Sequence, residues 1–456
     1  MTSLPQSARH RDLWAGGILL FAGLALVFAA AWRERAVLDD SAWPDLVIAV
    51  EAESVPEGAV PLRSRPLPKA NLPAETQQLI EDVRMQRGSA ELLDMLGITH
   101  MERLLMVEAE PAFFSPGLVS GRLPEPGAPE VLAGALVRFD TFKMNNRTFE
   151  VVGRLDPAIP GVLKAYFLSA HADFEALFAE EEEATTGWLD PAGLDHLDSF
   201  GLERPEDGPA ARFLMPSGQL PASIAAVTLL GLVLVAAGGA MIQIGLLRRY
   251  ARRAGPLLGP FLQELTLRPR LLLAMHVLLY GALFATMLGA FLEPRITWSA
   301  GRFVRSVFAE GELEYVGRAY MTGNILHAAL ATFNQNYVVA TCTYTILPSL
   351  IIPFAGVVKN LVSFTFVGLV MSPLWTGTAA QYTYHSITMT LELEAYVLAS
   401  FAVSVLPIRV FRGIQNGDWV AQYIEGVRVL ASMAVLIAIL LSIAALYEAT
   451  TLILLN

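Results

Sequence analysis

Residues 322–407 combine apolar runs of bilayer-spanning length with polar and ionisable side chains that such runs seldom hold. The stretch reads NILHAALATFNQNYVVATCTYTILPSLIIPFAGVVKNLVSFTFVGLVMSPL from Asn324 and, after a polar break, HSITMTLELEAYVLASFAVSVLP. Asn334, Asn336, Lys359, Asn360, His385, Glu392 and Glu394 all lie in or beside these runs. A charged group at membrane depth costs about 3 kcal/mol or more, so it is expected to face the protein interior, take a partner and mark a candidate functional site.

The rest of the composition agrees with a membrane protein. Hydrophobic residues make up 54% of the 456 residues and charged ones only 16%, where a soluble globule carries about 25% charged residues. Mean hydropathy is +0.48. The chain's net charge of −11 is unevenly spread: residues 33–220 hold 32 acidic and 16 basic residues, a net −16, which leaves +5 on the remainder. The basic footprint of a nucleic-acid binder is absent. Cys342, the single cysteine, excludes an intramolecular disulfide and a cysteine-rich metal site.

Residues 13–32 are 20 uncharged, mostly apolar residues, the length of a membrane helix. Arg9, His10 and Arg11 precede them and favour a cytoplasmic N-terminus. The run is longer than a signal-peptide core, so a retained anchor over 1–32 is expected in preference to a cleaved leader. A second span over 221–247 runs straight into RRYARR, whose Arg248, Arg249, Arg252 and Arg253 mark a cytoplasmic end. Residues 33–220 are then extracytoplasmic. Within them 45–52 read as a strand, 75–96 as an amphipathic helix and 142–155 as a hairpin about Asn145-Asn146. KAYFLSAHADFEALFAEEEEA reads as a strand followed by a helix, and Glu180 to Glu183 as a solvated helix face. An α+β domain inserted between the first two spans follows from these elements.

VSGRLPEPGAPEVLAGALVRFDTFKMNNRTFEVVGRLDPAIPG resembles the periplasmic core domain of macrolide-exporter-type ABC permeases. The matching pieces are Gly121-Arg122, residues 130–137 and the hairpin strand 149–155, about 50 residues in all. Membership would imply a permease-like chain worked by a separate ATP-binding subunit.

Beyond the basic segment, 271–292 form a third span and 293–321 an outer, partly amphipathic connection that includes Phe303, Val307 and Tyr315. Residues 322–341 return, 347–371 cross again after a tight turn containing Pro348, 387–406 run inward to Arg409 and Arg412, and Arg428 opens a last span. The expected architecture is a polytopic α-helical membrane protein of about seven spans. Its parts are an anchor (1–32), the external domain (33–220), a second span with basic segment (221–270) and a five-helix core (271–456). Pro348, Pro353, Gly356, Lys359 and Asn360 also permit a re-entrant element over 347–371, which needs protein or a water cavity round it.

From about 271 onward the pattern resembles the membrane domain of the stage II sporulation protein M family. FNQNYVVA with Asn334 and Asn336, Asn360 after Lys359, and the His385 to Glu392 and Glu394 element carry the likeness. Here Ser386 follows His385 where that family has glycine, and its histidine stands closer to its glutamate. The likeness implies a five-helix core and an envelope scaffold that recruits peptidoglycan-remodelling enzymes.

Lys359 in one span and Glu392 or Glu394 in the next are candidates for a buried ion pair, because an unpaired charge there is costly. Such groups serve as packing glue between helices, as a proton or substrate pathway, or as a moving gate. No HExxH, GxSxG or P-loop pattern and no metal-ligand spacing occurs, so neither an enzyme nor a resident metal or cofactor is expected. The leading expectation is a membrane subunit of an ABC-type complex in the bacterial cytoplasmic membrane, contacting lipids, a separate ATPase and an extracytoplasmic protein or envelope substrate, and forming a homodimer. Arg248, Arg249, Arg252, Arg253, Arg412, Trp419 and Tyr423 are its candidate docking residues. A non-transporting scaffold and an ion-coupled transporter are the alternatives.

Overall fold

The computed structural model describes residues 6–39, 47–49, 57–67, 103–134, 137, 139–155, 165–169, 171, 174, 177–178, 185–190, 220–251, 253–292, 294, 296–297, 300–301, 304, 307–308, 311–374 and 378–455. The expected helix over 75–96, the acidic run at Glu180 to Glu183, Phe303 and Arg252 lie outside them.

Among the described residues the region between the first two long helices is a mixed nine-stranded sheet in the order β1-β9-β2-β3-β8-β5-β7-β4, with β6 paired to β7. Its strands are β1 (Val47–Ala49), β2 (Val60–Pro66), β3 (Arg103–Val107), β4 (Leu118–Gly121), β5 (Glu130–Ala133), β6 (Thr141–Met144), β7 (Arg147–Leu155), β8 (Ala165–Ser169) and β9 (Thr185–Asp190). The β3–β8 and β5–β7 pairs are parallel. Alternation along β3 feeds two cores: Leu104 and Met106 pack with Phe142, Phe149 and Tyr166 on one face, while Leu105 and Val107 pack with Phe114 and Phe167 on the other. Asn145 and Asn146, with φ of 48° and 61°, form the two-residue turn between β6 and β7. Gly121 (φ +81°) has Val152 O 2.2 Å from where a Cβ would stand. Arg122 forks onto Glu130, with Nη1 2.7 Å from Oε2, and Glu130 also accepts the Glu125 N–H at 2.9 Å. This closes the 121–130 loop.

Among the described residues five helices are long and apolar enough to cross a membrane. They are α1 (Gln6–Asp39), α2 (Ala222–Tyr250), α4 (Pro269–Leu292), α8 (Thr378–Asn416) and α9 (Trp419–Leu455), with the short α3 (Gly259–Leu267) lying between α2 and α4. The interval between α4 and α8 holds α5 (Glu314–Met321), α6 (Ile325–Phe333), a π-helix (Asn334–Ile346) that continues α6, one turn at Leu347–Ser349, and α7 (Ala355–Val370). Helical backbone thus runs unbroken over 325–349, and the chain turns at 350–354, just beyond Pro348, where Phe354 takes φ 63°. Ser349 closes that turn by accepting the Gly356 N–H at 2.8 Å. Helix α8 continues through Pro407 to Asn416, ten residues past the expected end of its span.

Helices α1 and α2 are antiparallel along a glycine seam. Gly16 packs on Gly238 and Gly23 on Gly231, close enough that a Cβ at Gly23 would lie 2.6 Å from the Gly231 carbonyl. Small residues permit such approach where no hydrophobic force drives helices together. The opposite face of α1 exposes Trp14, Ile18, Phe21, Phe28 and Trp32. The two tryptophans stand about 27 Å apart along the axis, close to the hydrocarbon thickness of about 30 Å, as interfacial belts do.

The helix ends form two layers. In one, Glu34 of α1 accepts the Ala380 N–H at the start of α8 (3.1 Å), Leu220 N–H reaches Leu374 O (2.7 Å) and Ser372 donates to Met287 O (2.9 Å). In the other, buried Glu264 of α3 takes both Arg268 and Arg409, Arg409 Nη1 is 3.1 Å from Gln422 Oε1, and Tyr423 donates to Leu350 O at 3.2 Å.

Candidate functional site: a polar layer inside the helical bundle

Residues two apart on a helix point about 200° apart, which sends Glu392 and Glu394 to opposite neighbours. Both sit near the middle of α8, with Glu394 about 21 Å along the axis from Ala380 and about 22 Å from Arg409.

Glu394 is fully buried and meets His276 of α4, whose Nε2 lies 3.0 and 3.1 Å from its two carboxyl oxygens. His276 Nδ1 is 2.8 Å from the Leu272 carbonyl. A carbonyl only accepts, so Nδ1 carries a proton, and the contact with Glu394 holds one further proton whichever partner bears it. Tyr280, one turn on, stacks beside His276 at 6.2 Å between ring centroids.

Glu392 turns the other way. Its Oε1 accepts from Asn336 Nδ2 at 2.7 Å, and its carboxyl lies within hydrogen-bonding reach of Glu448 on α9. Two carboxyls bond to each other only through a shared proton. The π-helix makes the Asn336 contact possible. Its wider turn aligns Asn336, Thr341 and Thr345 at steps of five and four, and the two threonine hydroxyls return to carbonyls five residues back, Asn336 O and Ala340 O, at 2.8 Å each. π-Helix is rare, and its usual single-turn form recurs at functional sites.

One turn further along α8 a second set follows. Asn360 is 1% exposed; its Nδ2 donates to Ser400 Oγ (2.9 Å) and Tyr396 O (3.3 Å), while its Oδ1 accepts from Thr345 (3.3 Å) and Lys359 (3.2 Å). The Lys359 ammonium lies 5.2 Å from the Tyr396 ring centroid, a cation–π distance. The expected ion pair between Lys359 and Glu392 or Glu394 does not form, because Asn336 with Glu448 and His276 occupy those glutamates. A neutral amide and an aromatic face take the lysine instead.

Asn334 is turned outward, with its Nδ2 3.4 Å from Tyr315 Oη. His385 lies beside Tyr384, with ring centroids 4.5 Å apart and tilted by 45°, near the start of α8 and is not part of this layer. At the basic end Trp419 is 53% exposed, whereas Tyr423 is engaged with Leu350. Arg412 is exposed there too.

His276, Tyr280 and Glu448 were not singled out from the sequence. The rule that selected the others applies to LLAMHVLLY and ALYEATT equally, since each sets an ionisable residue in an apolar run. Among the described residues no group of three or more His, Cys, Asp or Glu is placed to hold a metal. No family model, curated protein or solved structure matches the chain.

Proposed function

We propose that this chain is the permease-like membrane subunit of an ABC-type cell-envelope complex, in which a separate cytoplasmic ATPase works the helices and the external domain acts on an extracytoplasmic partner. In this reading the chain crosses the membrane seven times. The run 325–349 and α7 supply the two crossings beyond the five long helices, and the Glu264 layer lies in the cytoplasm beside Arg248, Arg249 and Arg253.

The observation that carries the reading is the construction of that basic end. Glu264, 2% exposed, draws Arg268 and Arg409 together and fixes α3 to the α8–α9 hairpin, while Phe411, Ile414, Trp419, Val420 and Ile424 stay exposed round it. Exposed aromatic and aliphatic residues beside arginines are the composition of a protein interface. Helix α2 is about 43 Å long and ends in Arg248 and Arg249 beside this platform. Resemblance of the 121–155 region to exporter permeases supplies the ATPase as the expected partner.

The test is purification of the tagged chain in mild detergent, with mass spectrometry of what accompanies it. A stoichiometric protein with a Walker A sequence is expected, its ATPase activity uncoupled by Trp419→Ala. Recovery of cell-wall hydrolases, or of the chain alone, would remove the energised-permease reading. A second reading, ion-coupled transport, rests on the Glu392–Glu448 pair with Asn336, and predicts pH-dependent uptake that Glu392→Gln abolishes in folded protein.

A further inference from the structure

Between α2, α4 and α8 lies a cavity of about 10 Å³, bounded by Leu232, Val235, Tyr280, Ser386, Met389 and Thr390. Its wall is mostly apolar, yet two of its hydroxyls, Tyr280 Oη and Ser386 Oγ, have no hydrogen-bond partner among the described residues. Ser386 is 1% exposed. On α8 its hydroxyl shares this lack of a partner with Thr388 Oγ1, while other hydroxyls of the helix are satisfied. Thr390, Ser400 and Ser404 of α8 each return their hydroxyl to the carbonyl four residues back, at 2.8, 2.9 and 2.7 Å. The Ser386 hydroxyl makes no such bond.

Buried hydroxyls without partners are costly, and the great majority in folded proteins are satisfied by protein or by ordered water. A cavity near 10 Å³ with polar atoms on two sides has the size that one water needs. A dry cavity of this size would leave both hydroxyls unpaid for solvation lost on burial.

We propose that this cavity is an internal water site in the membrane-embedded part of the bundle, where one water bridges Tyr280 Oη and Ser386 Oγ. Through Tyr280 the site adjoins the His276–Glu394 contact on α4, so water and the shared proton occupy the same helix interface. Thr388 Oγ1 of α8 and Oε1 of Gln243 on α2, whose Nε2 is 3.2 Å from Thr390 O, are further buried polar atoms on these helices without partners among the described residues. The inference does not depend on the proposed ATPase partner.

The test pairs a double-mutant cycle with radiolytic hydroxyl-radical labelling, both on the intact detergent-solubilised chain. Tyr280→Phe and Ser386→Ala should each lower the thermal midpoint, and the double variant should fall no further than the lower single, because losing either hydroxyl releases the same water. In the native chain Tyr280 should be labelled by radicals formed at the bound water, and Ser386→Ala should cut that label several-fold. Additive effects, or single variants that hold or raise the midpoint, overturn the water. Coupling without a Ser386-dependent label overturns it as well, since the hydroxyls then bond to each other directly.

Discussion

His276 on α4 and Glu394 on α8 meet at 3.0 Å in the bundle interior, and the second imidazole nitrogen is held by the Leu272 carbonyl. The histidine therefore has both nitrogens engaged and cannot turn to another acceptor without losing two bonds. Glu394→Leu should destabilise the protein by about 1–2 kcal/mol, the range for polar contacts between membrane helices. Adding His276→Phe should restore much of it, since an apolar pair replaces an orphaned imidazole. Chemical denaturation of the two variants in detergent checks this; a double variant worse than the single would contradict it.

Lys359 touches Asn360 and the Tyr396 ring and no carboxylate within 4 Å among the described residues. A double-mutant cycle between Lys359→Gln and Glu392→Gln should give a coupling below about 0.5 kcal/mol, the scatter expected of independent sites. A coupling well above that value would show a direct ion pair.

The glycine seam between α1 and α2 has a sharp positional signature. A Cβ at Gly238 would come 2.4 Å from Leu20 N, whereas Gly17 has nothing within 4 Å. Gly238→Leu should separate the helices and lower the yield of monodisperse protein, with a loss of at least about 1–3 kcal/mol from overpacking. Gly17→Leu should be tolerated. Size-exclusion chromatography of the two variants distinguishes them, and equal behaviour would sink the seam.

In the β-sheet domain, the hydrogen bonds from Arg122 hold the Glu130 carboxyl below the usual carboxylate range. A lowered folded-state value means that the pair stabilises above the ordinary carboxylate range, and that this contribution is lost as pH falls through the lowered value. The stability gap between native chain and Glu130→Gln should accordingly be present at neutral pH and close in strong acid. Arg122 is half exposed, so salt should narrow the gap too. A gap that widens in acid would reverse the assignment.

Much of this was legible in the chain itself. Long apolar runs made a membrane protein unavoidable, the Asn145-Asn146 pair placed its hairpin, and polar or ionisable residues within apolar runs flagged Asn336, Asn360 and Glu392. Length and periodicity are local properties, and a bilayer enforces them on any chain. Partnership is not local. Glu392 and Glu394 are chemically identical neighbours, and only the packing of α8 gives one to Asn336 and Glu448 and the other to His276. The register of the π-helix, which brings Asn336 and Thr345 to the same face, depends on threonine hydroxyls bonding five residues back, a choice that composition does not reveal. The sequence thus determined that polar groups would be buried and therefore partnered. Tertiary structure alone decided which partners they took, because a buried hydrogen bond is selected by distance across helices far apart in the chain.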